Sequence, residues 1–535
     1  MKKISSNLSI LLIVVLSAIL SLVVLRFANP LFYPPGRDGG AYMFGGRHLL
    51  HGKILYVDYW EAKGPMIFLI NTLGLLIGHD SRWGIWLFEF LFWAISALLA
   101  MITLKKQYGF LPGLTGVLVM MMVGKRLVGS GNYTEEYSLL FTWIAIFSFF
   151  QLLKKPTNQY LLIALGATLA LNFFIRANNC VTAGVLILAW IFYALRTKGL
   201  KGALYDSVWI TSGGLLIAIP ITIYFLLQGT FTEMVNASII YNFSYSFGTR
   251  PGFSNLNIYK SGLQPGLITL GLWMALPLMG FGLVLIQFIK HVSEKKVDVL
   301  NLALLILWPL EMLASSISGR NYGHYFLTWL PIMAILSAVA VDFILAQLRK
   351  IKTLASLPPW LTTLTLGLTT LLLAIIFNQD LVQYGASFSR LVTHPDNGVE
   401  YIHPISSFIA EHSEPDDLVL VWGGQTGLLF MSKRFSPTAY NFYPLYANSR
   451  IGREIQRQYF EDLKRNKPKL ILDAHIHVPD ALPSIDPELR ATQRLIYPIA
   501  ANHNEVLNYI VANYDLIHDD MGYQVYQIKE PNVGN

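Results

Sequence analysis

Eleven stretches of mostly apolar residues recur along this chain, each about as long as the twenty or so residues an α-helix needs to cross a bilayer. They lie near 8–27, 83–104, 110–128, 137–153, 159–175, 178–195, 206–228, 264–290, 299–317, 323–346 and 359–378. In lipid the backbone must satisfy its own hydrogen bonds, so most of the chain is constrained to a helical bundle. Composition agrees: 54% of the residues are hydrophobic and 13% charged, against about 25% charged in soluble domains. Residues 65–78 (PMIFLINTLGLLIG) are apolar but short, with Pro65, Gly74 and Gly78 flanking or interrupting them. They predict a juxtamembrane or re-entrant helix; as a span they would make twelve. Met1-Lys2-Lys3 and the run after it read as an uncleaved first helix, because the run is long for a signal peptide and no small-residue cleavage site follows.

Basic residues orient the bundle. Five short connections carry clusters: Lys105-Lys106, Lys154-Lys155, Arg196/Lys198/Lys201, Lys290/Lys295/Lys296 and Arg349/Lys350/Lys352. With eleven spans all five share a side with Met1-Lys2-Lys3, and short loops rich in Lys and Arg are cytoplasmic. This predicts a multi-pass protein of the plasma (inner) membrane. Residues 28–82, 129–136, 229–263, 318–322 and everything after 378 are then extracytoplasmic. The same basic faces account for the net charge of +8, so no nucleic-acid partner is implied. Cys180 is the single cysteine, which excludes an intrachain disulfide. Near residue 380 the chain changes character. Strand-like runs DLVLVW (417–422), KLILD (469–473) and YQVYQI (523–528) alternate with helical patterns near 400–412, 453–466 and 504–514. The fold class expected is a mainly α polytopic membrane bundle, 1–379, with a C-terminal soluble α/β domain, 380–535.

Charges at the outer mouth of such a bundle mark a candidate site. The first outer segment carries Arg37, Asp38, Asp58, Glu61 and Lys63 between apolar runs. Asp38 follows a Pro-Pro-Gly turn and is either a helix N-cap or a base that takes a proton from a hydroxyl. Lys63, before Gly64-Pro65, is either a snorkelling interface residue or a phosphate ligand, with Asp58 and Glu61 beside it. Glu135 and Glu136 open the fourth span. They suit a helix start, and adjacent residues point about 100° apart, so one of them would face a site. Arg320 and His324 are four apart, on one helix face, and a guanidinium matches two phosphate oxygens. Glu89 and Glu311 fall within spans and need partners there. YNFSYSFGTRPGF (241–253) suits an aromatic interface belt or a sugar groove. In D-A-H-I-H, strand alternation would put His475 and His477 on one face, a weak metal pattern. WGGQ (422–425) lacks a phosphate-loop lysine and is not read as nucleotide binding.

The motifs R-D-G-G-A-Y (37–42), H-G-K-I-L-Y-V-D-Y-W-E-A-K-G-P (51–65), T-E-E-Y (134–137) and S-G-R-N-Y-G-H-Y-F (318–326) together resemble the GT-C superfamily of membrane glycosyltransferases. The resemblance is to family 39-like members, which include protein O-mannosyltransferases and the lipid A aminoarabinose transferase. It covers the membrane half well and the tail in general terms. It implies transfer of a monosaccharide from a polyprenyl-phosphate sugar to an extracytoplasmic glycan, lipid or protein, among membrane lipids. Asp38 matches the catalytic acidic position, with Glu135 or Glu136 at the second acidic position. Lys63 matches the lipid-phosphate lysine, with Arg37, Arg320 and His324 as further phosphate candidates. Tyr42 and Tyr322, in the same motifs, and Asp58 and Glu61 are candidate substrate contacts. Metal use in the family is mixed, so a divalent ion is a candidate cofactor, with Asp58, Glu61 and Glu135 as its ligands. Two departures matter. Gly39 follows Asp38, so the paired acidic motif of the protein mannosyltransferases is absent, which weakens a protein acceptor. Lys-Gly-Pro replaces Lys-Pro-Pro. The competing class is a transporter or flippase of lipid-linked sugars, which would bind the same donor without a base. The paired broken-helix repeats of transporters are not seen.

Overall fold

In a computed structural model, a helix covers each of the eleven apolar segments. The structure describes residues 2–242, 263–294, 296, 298–317, 322–348, 350, 359–394, 399–441, 450–477, 479, 482–495, 501–520 and 522–530. Among these residues six helical runs are long and apolar enough to cross a membrane: Arg82–Tyr108, Phe110–Val128, Ala177–Leu227, Gln264–Ser293, Val299–Ser316 and Gly323–Leu348. The pair Thr363–Ile376 and Asn378–Thr393, bent by 76°, makes a seventh if taken as one span. The count falls below the eleven expected for local reasons. Two expected spans, 178–195 and 206–228, share the helical run Val181–Leu227, which breaks at Gly199 (φ 71°, ψ −177°). Leu8–Val24 and Gln159–Ile175 are helical and apolar but shorter, and Thr134–Leu152, 19 residues long, opens with Glu135 and Glu136, which lower its mean hydropathy below that of the six. Pro65–Ile77 is a separate 13-residue helix. At 1.5 Å per residue it spans about 20 Å, short of a hydrocarbon core of about 30 Å, as its sequence implies.

The chain divides into two compact units. The first comprises Met1–Leu31, Trp86–Phe225 and Phe253–Val399. Small residues let its helices approach closely, the usual device where lipid removes the hydrophobic drive between helices. A Cβ on Gly116 would stand 2.5 Å from the Ala334 carbonyl oxygen, so Phe110–Val128 and Leu330–Leu348 touch backbone to backbone. Indole rings fill the wider gaps, with Trp93, Trp143, Trp190, Trp308 and Trp329 buried. Buried Asp380 is paired with Arg26 (2.8 Å) and Lys125 (2.6 Å).

The second unit comprises Phe32–Ile85, Leu226–Gly252 and Glu400–Asn535, so the first outer segment and the tail belong to one body. Its sheet has the order β1 (Val419–Trp422), β2 (Leu470–Asp473), β4 (Tyr523–Ile528), β3 (Tyr514–Asp520). β1 and β2 are parallel, with Val419 opposite Leu470. Both are buried at every residue, which suits their unbroken apolar sequence. β4 runs antiparallel to β2 and to β3. The core gathers Leu420, Trp422, Tyr459, Ile471, Leu507 and Tyr526. β3 was not expected: YDLIHDD is mostly exposed and bulged between Leu516 and His518, an edge strand with no alternating pattern. The D-A-H-I-H expectation is corrected. β2 ends at Asp473, and His475–His477 form a 3₁₀ turn, so the two histidines do not share a strand face.

Three contacts fasten this unit internally. The helix Arg37–Leu50 packs on Thr426–Ser432 through glycine, since a Cβ on Gly40 would lie 2.8 Å from the Gly427 Cα. Buried Arg47 reaches the Phe430 carbonyl, lies over the Phe430 ring (3.8 Å) and pairs with Asp80 (2.9 Å). Buried Arg82 pairs with Glu400 (3.1 Å) and donates to the carbonyls of Tyr33 and Tyr401.

Candidate functional site

Asp38 stands in the first turn of the helix Arg37–Leu50. Pro34-Pro35 hold the chain extended up to Gly36, which occupies the N-cap (φ −67°, ψ 169°). The helix thus begins earlier than an Asp38 cap would place it. Asp38 sits where a carboxylate complements the helix dipole, and both it and Arg37 are half-buried. Tyr42, one turn on, is buried with its ring edge-on to Phe68 at 6.1 Å.

The loop from His51 to Gly64 is held by its own tyrosines. Tyr56 adopts φ +69°, and its N–H donates to the Tyr59 carbonyl (2.7 Å). The Tyr56 hydroxyl donates to the Lys63 carbonyl (2.7 Å), and the Tyr59 hydroxyl to the Ala41 carbonyl (2.7 Å). Asn242 donates to the Ala62 carbonyl (2.6 Å), and the Trp60 N–H to the Ala439 carbonyl (2.9 Å). Residues 56–63 are therefore tied to a helix, to the tail and to the segment beginning at Leu226. Asp58 is exposed, and its carboxylate accepts the Ile54 N–H (2.7 Å), which closes the turn.

Glu61 is buried, and its Oε1 accepts the Ala62 N–H (2.8 Å). Burial pushes its carboxyl above the ordinary range. Lys63 opposes the rise most strongly and Arg37 weakly, while Asp38 adds to it. Arg37, Asp38, Glu61 and Lys63 are thus gathered within electrostatic reach of one another. The Tyr56 and Tyr59 hydroxyls, buried beside Glu61, are held well above the usual phenol range and stay neutral donors. The WGGQ segment gains a meaning its sequence did not disclose. Gly423 and Gly424 carry positive φ (130° and 68°) and lead the chain into the helix that packs on Gly40.

A second group in the same unit joins His477, singled out in sequence only with His475, to partners that no pattern indicated. The His477 Nε2 meets the Tyr523 hydroxyl (2.5 Å), and the His403 ring lies 5.4 Å from that of Tyr523. Burial, then Arg37, lowers the His477 pKa. These residues lie more than 350 positions from Arg37, and no local pattern joins them. Among the described residues no three His, Cys, Asp or Glu side chains come together as a metal site.

The other candidates belong to the first unit. Glu135 and Glu136 open the helix Thr134–Leu152 and are both buried. Glu136 accepts the Tyr133 N–H (3.0 Å) and the Trp93 indole N–H (2.9 Å), closing a capping box. Glu135 pairs with Arg176, whose guanidinium lies 4.2 Å over the Tyr325 ring. The two carboxylates take different partners, as their offset around the helix requires. Arg176 is a site candidate that sequence reasoning missed, because it lies between two apolar spans without a motif. His324 lies parallel to Tyr133 at 4.2 Å and to Tyr322 at 5.8 Å. Glu89 accepts the Asn132 N–H, and Glu311 the Thr182 hydroxyl (2.6 Å). Arg320 and residues 243–253 lie outside the described residues.

Solved structures of two other proteins share this fold. ArnT from Cupriavidus metallidurans, in a crystal structure bound to undecaprenyl phosphate, superposes with a TM-score of 0.57 over 96% of this chain and 97% of that one, at 12% identity. Its apo form gives 0.54 over the same shares, again at 12% identity. The apo oligosaccharyltransferase of Archaeoglobus fulgidus gives 0.50 over 86% of this chain and 69% of that one, at 14% identity. Both proteins are GT-C glycosyltransferases, and this chain shares their fold. Among curated proteins no sequence matches. Residues 2–353 match the family described as "Putative competence-induced protein Ccs4 N-terminal domain", and the chain, a polytopic helical protein of GT-C fold, belongs to that family.

Proposed function

We propose that this protein is a membrane glycosyltransferase that moves a monosaccharide from a polyprenyl-phosphate sugar to an extracytoplasmic acceptor. One observation carries the reading. Two carboxylates and two cations, Asp38, Glu61, Lys63 and Arg37, are gathered at the start of the helix Arg37–Leu50, on a fold shared with a protein crystallised with undecaprenyl phosphate. In this reading the acceptor hydroxyl attacks the anomeric carbon while Asp38 takes its proton. The bond between that carbon and the phosphate oxygen breaks, and the lipid phosphate leaves with the bonding electrons. Lys63 and Arg37 meet the charge that grows on the phosphate, an electrostatic task fitted to preset cations. The buried Glu61 holds Lys63 in place. In chain order a membrane domain would span 1–379 and an α/β domain 380–535, with the outer segment packed in one compact unit with the tail. The 28–82 segment and the tail would face the extracytoplasmic side of the plasma membrane.

The test is Asp38→Asn in purified protein supplied with a panel of labelled polyprenyl-phosphate sugars. Losing a general base lowers the rate by about 10²–10⁴-fold, and donor affinity should stay nearly unchanged because the cations hold the phosphate. Near-normal transfer would remove Asp38 as the base and move the role to Glu135, which pairs with Arg176. Donor moved across the membrane without sugar transfer would replace the transferase reading with a flippase.

A further inference from the structure

We propose that the large cavity beside the 51–64 loop binds a neutral, hydroxyl-rich oligosaccharide, the acceptor of the transfer proposed above. The word acceptor rests on that reading; the ligand class rests on the cavity itself. Its volume is about 1320 Å³, and it lies wholly within the second unit. Single small-molecule sites measure about 300–1,000 Å³, so it has room for several sugar rings.

The lining selects the chemistry. Five Lys or Arg face six Asp or Glu, a near balance. The three arginines are already engaged: Arg47 with Asp80 (2.9 Å), Arg457 with Glu461 (2.6 Å) and Arg465 with Asp462. His48 is neutral at physiological pH, since burial pushes its imidazole down to about 4. A polyanion would have to displace carboxylates from these guanidiniums or rely on the exposed Lys53 and Lys433 alone, against six carboxylates in the same lining. A sugar hydroxyl, which both donates and accepts, can use a wall of paired charges without breaking the pairs. Rings supply the other half of sugar recognition. Tyr440 is braced by Trp60, 5.9 Å away, and by the Gln458 side chain, and Phe435 lies across from His51 at 5.5 Å. The negative face of an aromatic ring suits the C–H face of a pyranose. A peptide would look for a strand edge to extend, and among the described residues none of the strands β1 to β4 lines the cavity. An acyl chain would need a continuous apolar wall, whereas among the described residues Val57 and Leu418 are the only branched aliphatic side chains in the lining. The cavity also adjoins the proposed transfer residues. Tyr56 lines it, and the same side chain donates to the Lys63 carbonyl.

The experiment uses the full chain in lipid nanodiscs on an array of neutral hexose and deoxyhexose oligomers, glycerol-phosphate oligomers and unmodified peptides. Undecaprenyl phosphate binding is measured in parallel. Binding of neutral oligomers that weakens about tenfold in Tyr440→Ala, the effect expected on truncating a central aromatic anchor, supports the proposal, provided undecaprenyl phosphate binding persists. If Tyr440→Ala melts early, Gln458→Leu, at the half-buried partner of the Tyr440 hydroxyl, decides by the same criterion. Preference for the phosphate oligomers or for peptides overturns the proposal, as does neutral-glycan binding that neither variant weakens. Loss of undecaprenyl phosphate binding by the unaltered protein, with neutral oligomers still bound, counts against the transferase reading and leaves the glycan site standing.

Discussion

At Glu61 burial and charge pull in opposite directions, and burial prevails. A carboxyl whose pKa is raised by folding adds stability that is whole below its ordinary value and is lost as the pH climbs through its raised folded value. The melting temperature of the wild-type protein should therefore fall more steeply than that of Glu61→Gln as the pH rises from the ordinary carboxyl range to neutral and above. Thermal melts across that range check this, and parallel profiles would mean that Glu61 ionises as a surface group does. Lys63, half-buried beside it, carries the second expectation at this scale. Lys63→Ala should weaken undecaprenyl phosphate binding by roughly 10- to 150-fold, the range for a hydrogen bond to a charged group. Equal affinity in wild type and variant would leave Lys63 as an interface anchor.

Between elements, the close seam is glycine against glycine. A Cβ on Gly40 meets the Gly427 backbone at 2.8 and 2.9 Å, and neither atom can yield. A Cβ on Gly427 first meets the Pro35 Cγ at 3.1 Å. Gly40→Ala should thus cost about 1–3 kcal/mol by overpacking and exceed the cost of Gly427→Ala. Comparative melts would reveal a reversed order, which would place the seam elsewhere. Arg82 and Glu400 form the other fastening. Removing one member of a buried pair strands its partner, so Arg82→Ala should cost about 3–5 kcal/mol. A loss below about 1 kcal/mol would mark the pair as solvent-screened.

For the whole molecule the open quantity is orientation. The five basic connections predict that Lys201 is cytoplasmic and the C-terminal end extracytoplasmic. Reporter fusions at Lys201 and after the last residue should therefore report opposite sides. A cytoplasmic signal at both would put the 28–82 segment on the wrong side for a lipid-linked donor at the outer face. The break at Gly199 bears on this result, because it is the point where one helical run is interrupted at a glycine of positive φ.

Hydropathy alone determined that the chain is a helical membrane bundle with a short separate apolar helix and an α/β tail, because lipid enforces helix length and strands need apolar runs. The motifs likewise pointed to Arg37, Asp38, Glu61 and Lys63, which are near neighbours in sequence and stay together when folded. Other features were illegible. The edge strand β3 lacks alternation, and His475 and His477 lie on a turn that begins where β2 stops. Arg176, His477 and the cavity depend on partners tens to hundreds of residues away, and no local spacing encodes such partners. The first outer segment also belongs to the same compact unit as the tail, although the apolar pattern assigns it to the membrane half. Hydropathy records how each segment meets its solvent; only tertiary packing, through the backbone of Gly40 on Gly427 and the side chain of Arg82 on Glu400, decided which distant segment it meets.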